Sequence, residues 1–192
     1  MKTLVLRSKI KSSAEELFAW HLKEGALERS IPPWERVEIL EKSSPAEIGS
    51  TVACRIHLGP FAMKMVVQHE EFTAGREFCD VQTKGPFKSW KHRHRVIPVD
   101  SFSSILEDTI DFKTVLPLFD SSIIKQLNAH LKWKHEVLGC DLEFFQRYST
   151  QKLRILVSGS SGLIGRFLTV FLKTAGHEVI RLVRSKQLIQ QD

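Results

Sequence analysis

The chain has 192 residues, of which 42% are hydrophobic and 26% charged, an ordinary globular composition with room for one or two domains. The formal net charge is +6, but residues 1–150 carry 21 Lys/Arg against 20 Asp/Glu, while residues 151–192 carry seven against two. The larger part thus lacks the basic excess that a nucleic-acid surface needs, and nucleic-acid binding is not expected. No apolar run reaches the length of a membrane span, and the opening MKTLVLRSKIKSS lacks a signal-peptide core, so a cytoplasmic protein with no membrane span is expected. Cys54, Cys79 and Cys140 are odd in number, far apart and free of any CxxC spacing, which reads as reduced thiols and neither a disulfide frame nor a zinc site.

In chain order, Lys2 to Ile10 alternates as a strand does. Ser13 with Glu16 three residues later forms a capping box that opens a short helix through Leu17, Phe18 and His21. A second helical piece, Gly25 to Ser30, must stop at Pro32-Pro33. Five or six strands are then predicted, at Glu35–Glu41, Ser50–Leu58, Phe61–Phe72, Phe78–Thr83, Ser89–Val99 and Ser103–Thr114. The punctuation between them, at Gly49, Gly59-Pro60, Gly75, Gly85-Pro86 and Pro98 to Asp100, is short enough to imply an antiparallel meander. From Asp120 to Tyr148 the period changes to helical, with Ile124, Leu127, Leu131, Leu138, Leu142 and Phe145 in one stripe that His135 interrupts.

After this helix, Leu153, Ile155 and Val157 form a short apolar strand that ends at a glycine turn, GxxGxxG at Gly159, Gly162 and Gly165. Ile164, Phe167, Leu168, Phe171 and Leu172 then recur at helical spacing until Gly176, and HEVIRLVR reads as a second strand. Glycines let a backbone approach a phosphate, and the helix start offers free N–H groups and a positive dipole end. The nucleotide-binding candidates are Gly159, Ser160, Ser161, Gly162, Leu163, Ile164 and Gly165. Arg184, nineteen positions after Gly165, stands where an acid would select NAD, which favours NADP; Arg181 and Lys186 read better as solvated charges. The turn resembles the extended, epimerase-like branch of the short-chain dehydrogenase/reductase superfamily, with Ser158 where that branch usually has Thr. In that superfamily the catalytic YxxxK lies well downstream of the turn. Tyr148 and Lys152 spell it upstream, across the expected domain junction, and are read as coincidence, so no catalytic residue is assigned.

One strand, two small helices, an antiparallel sheet and a long helix follow a helix-grip order. The chain here resembles the START-like superfamily, also called SRPBCC or polyketide-cyclase-like, over roughly residues 1–147. GALERSIPPWE, LGPF and GPFKSWKHRHR resemble the subgroup fused ahead of an epimerase-like, cell-division-inhibitor-annotated reductase. The expected fold is therefore α+β: a helix-grip START-like domain over residues 1–149 and a truncated Rossmann start over residues 150–192. The resemblance implies a cavity between sheet and long helix for an apolar or amphipathic small molecule. It also implies a reductase whose remainder this chain does not hold, with weak NADP binding or none.

Alternation says which side chains would line that cavity. In Ser89 to Val96 the charges Lys91, Arg93 and Arg95 belong outside, so Trp90, His92, His94 and Val96 point inward. Neighbouring strands add Met63, Met65, Val67 and His69, then Leu106, Asp108, Ile110 and Phe112. Buried polar groups need partners, so His69, His92, His94 and Asp108 are read in three ways: satisfied core, polar lining of a ligand site together with Trp90, or a metal site. Trp20, Trp34 and Trp133 are read as core or cavity wall. Three functions compete: a ligand module joined to a reductase, a stand-alone carrier with a vestigial tail, and a cyclase-like enzyme using His92, His94 or Asp108. An apolar strand at Val179 to Val183 adds self-association to the partners considered.

Overall fold

The computed structural model describes residues 1–43, 47–58, 61–148 and 151–184; the Gly59-Pro60 turn and Lys186 lie outside them. Strands β1 (Lys2–Ile10), β2 (Val37–Lys42), β3 (Thr51–Leu58), β4 (Phe61–Thr73), β5 (Glu77–Lys84), β6 (Ser89–Asp100) and β7 (Ser103–Lys113) form one antiparallel sheet in the order β1-β7-β6-β5-β4-β3-β2. The meander from β2 to β7 follows from its short turns, and β1 pairs with the edge of β7 that the meander leaves open. Alternation holds along β6 and β7, where Val96, Leu106, Ile110 and Phe112 are buried. Along β4 it breaks. His69 pairs with Asp80 but Glu71 with Cys79, so Glu70 is an extra residue, and Phe72 joins His69 on the inner face against Phe18.

Helices α1 (Ala14–His21) and α2 (Ala26–Ser30) follow β1; α1 packs against β6 and β7, and α2 against α1, α3 and the last described helix of the chain. The Ser13 hydroxyl accepts from the Glu16 N–H at 3.2 Å, as the capping box requires, and Ser12 donates to the same Glu16 carboxylate. Helix α3 (Asp120–Arg147) runs about 42 Å, and its Leu138 and Leu142 pack with Ile10, Leu17, Phe18, Trp20 and Leu106 into the main core.

Beyond α3, β8 (Arg154–Ser158), α4 (Leu163–Thr174) and β9 (Glu178–Leu182) form a strand–helix–strand unit whose two strands pair in parallel, apart from the large sheet. Helix α4 docks on α2 and on the end of α3. Gly25, at φ 83°, allows this approach, since a Cβ there would lie 3.0 Å from Thr174 Oγ1 and 3.2 Å from the Val170 carbonyl. Phe171 packs on Phe144 and Phe145, and Arg29, paired twice with buried Asp141, lies over the Phe171 ring. The apolar stripe expected along α4 is only half used: Ile164 is 82% exposed, and the buried positions are Gly165, Thr169 and Thr174. Small side chains win because α4 sits against its own glycine turn and against α2.

Candidate functional site

Register builds the inner-face cluster. His94 stands opposite Asp108 on β7 and Phe78 on β5, and His92 opposite Ile110 and Asp80. His94 Nδ1 lies 2.6 Å from Asp108 Oδ1, and its Nε2 lies 3.3 Å from Asp80 Oδ2. Lys134, on α3, places Nζ 2.8 Å from Asp108 Oδ2 and 2.7 Å from His94 Nδ1. His135 bridges Asp108 Oδ2 at 2.9 Å and the Ser8 hydroxyl at 2.8 Å, and His69 pairs with Asp80. A chain of polar contacts thus crosses the sheet from Ser8 through His135, Asp108, Lys134, His94 and Asp80 to His69. With its proton on Nε2, His94 donates to Asp80 and accepts from Lys134; with the proton on Nδ1 it donates to Asp108. The ring can therefore hold a proton for either carboxylate.

Burial pushes the Asp108 carboxyl up, but the Lys134 ammonium, the His94 ring and the hydrogen bonds from His135 and His92 together hold it well below the usual carboxylate range. Burial acts on Asp80 in the same sense, and the hydrogen bonds from His69 and His94 again outweigh it and lower its pKa. His92 is pushed down to about 3 by burial and by neighbouring His94, so it is neutral near pH 7. His21 and His135 are lowered chiefly by burial, whereas the hydrogen bond to Asp80 raises His69. Eight groups share one low-dielectric space by splitting into positive, negative and neutral members.

His92, His94 and Asp108 offer ligand atoms within 4.8 Å of one another, the one such group among the described residues. Lys134 already places a cation between His94 and Asp108, which disfavours a second one there. The cluster has a closed floor and a half-open rim: Asp108, Lys134, His135 and His94 are buried, while Trp90, His92, His69 and Asp80 are partly exposed. Beyond the rim, the register puts Val37, Ile56 and Met63 in one row and Ile39, Cys54 and Met65 in the next; of these only Met65 is fully buried. Helix α3 packs over β1, at the other edge, so these rows form an apolar wall that α3 leaves partly bare.

The glycine turn has its own logic. Gly159, at φ 67°, has nothing within 4 Å of an added Cβ, whereas a Cβ on Gly165 would meet the Gly159 carbonyl at 2.1 Å. The first glycine therefore permits the turn and the third permits the helix to press against it. Gly162 caps α4 without any side-chain hydrogen bond, and Ser161, Leu163, Ile164 and Arg184 are exposed. Ser160 differs from the expectation. It is buried, and its hydroxyl accepts from Arg181 Nε at 3.1 Å, so Arg181 props the turn and is not a merely solvated charge.

Sequence reasoning brought His69, His92, His94, Asp108 and Trp90 to one face, where the structure has them. It missed Lys134, Asp80 and His21, and took His135 for an interruption of the stripe when it is a member of the cluster. The available signal was position: Lys134 follows Leu131 by three residues and precedes Leu138 by four, on the apolar face. Of the tryptophans, Trp20 is fully buried, but Trp34 is 61% exposed, with its edge on Trp133, and is no part of the core. Tyr148 stacks on Phe144 at the end of α3. Lys152 lines a cleft of about 480 Å³ with Lys173, Gly176 and His177, at the opposite ends of β8 and β9 from the glycine turn.

No protein-family model matches the chain, and no curated protein matches it in sequence. Solved structures do. A nucleoside-diphosphate sugar epimerase from Corynebacterium glutamicum is 30% identical with a TM-score of 0.76; the match covers 95% of this chain but only 39% of that one. A START superfamily protein from Mycobacterium smegmatis has a TM-score of 0.55 at 14% identity, over 74% of this chain and 98% of its own. The Zhui aromatase/cyclase from a Streptomyces species has a TM-score of 0.54 at 16% identity, over 78% and 96%. The large sheet and its long helix are thus an α+β, START-like fold, and the whole chain spans about two fifths of the epimerase's length.

Proposed function

We propose that residues 1–149 form a START-like module that binds an apolar or amphipathic small molecule. Its body lies on the wall of β2–β4 and its polar end meets Trp90 and His92, with His69, His94 and Asp108 behind them. The observation that carries this reading is the half-bare apolar wall ending at a rim of polar groups whose charges are already balanced. A neutral His92 in a buried setting suits a hydroxyl or carbonyl group better than an ion. A small-molecule role also agrees with the aromatase/cyclase and START likenesses. Purified protein should retain an apolar adduct in native mass spectrometry, and Met63→Asp should remove it while the circular dichroism spectrum stays unchanged. Retention by that variant would reject the site.

The same proposal reads residues 150–192 as the opening of an NADP-type dinucleotide fold in a two-domain oxidoreductase, with Gly159 to Gly165 at the pyrophosphate and Arg184 at the 2′-phosphate. Support comes from the three glycines, each spatially suited to its place, and from the uncapped start of α4. The face of β8 and β9 turned away from α4 also carries exposed Leu156 and Leu182, as a parallel sheet awaiting cover would. Helix-terminus contacts contribute about 0.3–2 kcal/mol each, so this chain alone should bind NADPH no tighter than about millimolar. Calorimetry with NADPH and NADH tests it. Equal response to both cofactors, or the same response after Arg184→Ala, would reject the NADP assignment, and no heat with either would favour a carrier without cofactor.

A further inference from the structure

Between β7 and α3 the chain reads Val115-Leu116-Pro117-Leu118-Phe119, five consecutive apolar residues. All are exposed: Val115 by 55%, Leu116 by 53%, Leu118 by 75% and Phe119 by 50%. A run of this kind on a surface has a cost in water and marks a contact site more often than chance. The exposure is built in. Thr114, buried at the base, donates to Asp120 at 2.5 Å across the segment, and Phe119 N donates to the Leu116 carbonyl in a single 3-10 turn over Pro117–Phe119. The fold therefore holds the apolar side chains outward on a closed loop.

The surroundings are basic. Lys2 at the start of β1, Lys88 just before β6 and Lys113 at the end of β7 are exposed, and share a small cleft with Pro117. Two carboxylates share this end, Asp120, which accepts from Thr114, and Asp111, which accepts from Thr3; both stay charged, and the three lysines outnumber them. An apolar tip beside a group of three lysines is complementary to a surface that is negative outside and apolar beneath. The strand–helix–strand unit does not supply the cover, because α3 carries the chain about 42 Å away before β8 begins.

We propose that this tip docks on an anionic bilayer surface. Leu118 and Phe119, flanked by Val115 and Leu116, enter the boundary between headgroups and acyl chains, and Lys2, Lys88 and Lys113 meet the headgroups. The docking is peripheral; no described helix is long and apolar enough to cross a membrane. Behind the tip lie Phe112, Phe87 and Trp90 in contact, and Trp90 adjoins His92. An amphipathic ligand leaving the bilayer here would meet the rim of the site described above, although the docking itself does not depend on that site.

Co-sedimentation of the full chain with phosphatidylcholine vesicles, with and without phosphatidylserine, tests the proposal. Wild type should sediment with the phosphatidylserine vesicles and lose most of that binding as salt is raised. Leu118→Asp with Phe119→Asp should lower the bound fraction about tenfold or more, and Lys2→Glu, Lys88→Glu and Lys113→Glu together should abolish the preference for phosphatidylserine. All these side chains are exposed, and an unchanged thermal midpoint confirms that the variants fold. Absence of wild-type binding, or binding that the aspartate pair leaves intact, overturns the proposal. So does a concentration-dependent dimer that the aspartate pair dissociates with no vesicle binding by wild type, because the tip would then belong to a second copy.

Discussion

The seven-stranded sheet and the two-stranded one face the same requirement, to remove an apolar face from water, and meet it differently. The large sheet lays α1 and α3 on its inner face so closely that Asp108 is wholly buried and must draw its partners from two other elements: His94 on β6, with Lys134 and His135 on α3. The small sheet covers one face with α4, burying Val157, and leaves Leu156 on the other face 58% exposed. Stability in the first rests on a charge-paired polar cluster inside a core; in the second it rests on where α4 is attached. Because α4 is anchored through Gly25, Thr174 and Phe171 to α2 and α3, the small unit gains from the large one what its own two strands cannot provide.

The largest effect that would break this comparison is at Asp108. Asp108→Ala leaves the Lys134 ammonium buried without its carboxylate and should cost about 3–5 kcal/mol in urea unfolding. Pairing it with Lys134→Met should recover most of the loss, since both charges then leave together. A loss below about 1 kcal/mol for the single change would show that the cluster is not what secures the large sheet.

Next comes Gly165→Ala. Its Cβ would press on the Gly159 carbonyl at 2.1 Å, where backbone must shift, so a cost of about 1–3 kcal/mol is expected. The damage should be confined to one unit. In hydrogen exchange, amides of residues 153–184 are expected to be less protected than those of β6, β7 and α3 in the wild type, and should lose further protection in this variant while the large sheet keeps its own. Uniform loss across both would mean that the units unfold as one.

These two sites also show what a sequence discloses. The strand Lys2–Ile10, the α1 capping box and the inward set on β6 were legible because local spacing determines them. The sorting of Lys91, Arg93 and Arg95 to the outside was equally legible, and they pair there with Glu71, Glu77 and Glu107. Lys134 and Asp80 were not legible, because a charge on an apolar face signals error or exposure until its partners, eleven to forty residues away in the chain, are in place. The bulge at Glu70 escaped for a related reason: alternation predicts a face only while no residue is inserted, and nothing in GlnHisGluGluPhe marks the extra one. On α4 the spacing was sound, yet packing chose the small residues.

A smaller effect is set by pH. His21, His92 and His135 bind protons more weakly folded than unfolded, so the unfolded chain takes up protons first as pH falls from 6.5, the ordinary histidine value. Stability should rise with pH from about 3, where His92 titrates, to about 6.5, and be complete above it with respect to these rings. His69 runs oppositely: Asp80 raises it, so its contribution is full below 6.5 and lost as pH climbs through its folded value. Below 6.5, where the His69 contribution is already full, only the three lowered rings act and the slope is positive. Asp80 and Asp108, both lowered, contribute above 3.8 and lose that contribution only at lower pH. Urea midpoints should therefore fall between pH 6.5 and 4, and His92→Gln should flatten part of that fall; a midpoint constant across this range would contradict the neutral, buried state of these histidines.

The smallest expected change has the opposite sign. Gly139 lies within α3, where glycine costs about 1 kcal/mol relative to alanine, and an added Cβ would rest 3.5 Å from Ile10 Cδ1, an ordinary contact. Nothing near this position calls for a left-handed backbone, since the positive-φ glycines are elsewhere. Gly139→Ala should therefore stabilise the chain by about 0.5–1 kcal/mol, mostly by restricting the unfolded state. The gain sharpens the comparison because α3 reaches both units: its middle packs on β1 of the large sheet and its end on Phe171 of α4. A stiffer α3 should raise protection in the large sheet and, if α4 draws its order from α3, in residues 163–174 as well. Gain confined to the large sheet would assign the anchoring of α4 to α2 alone.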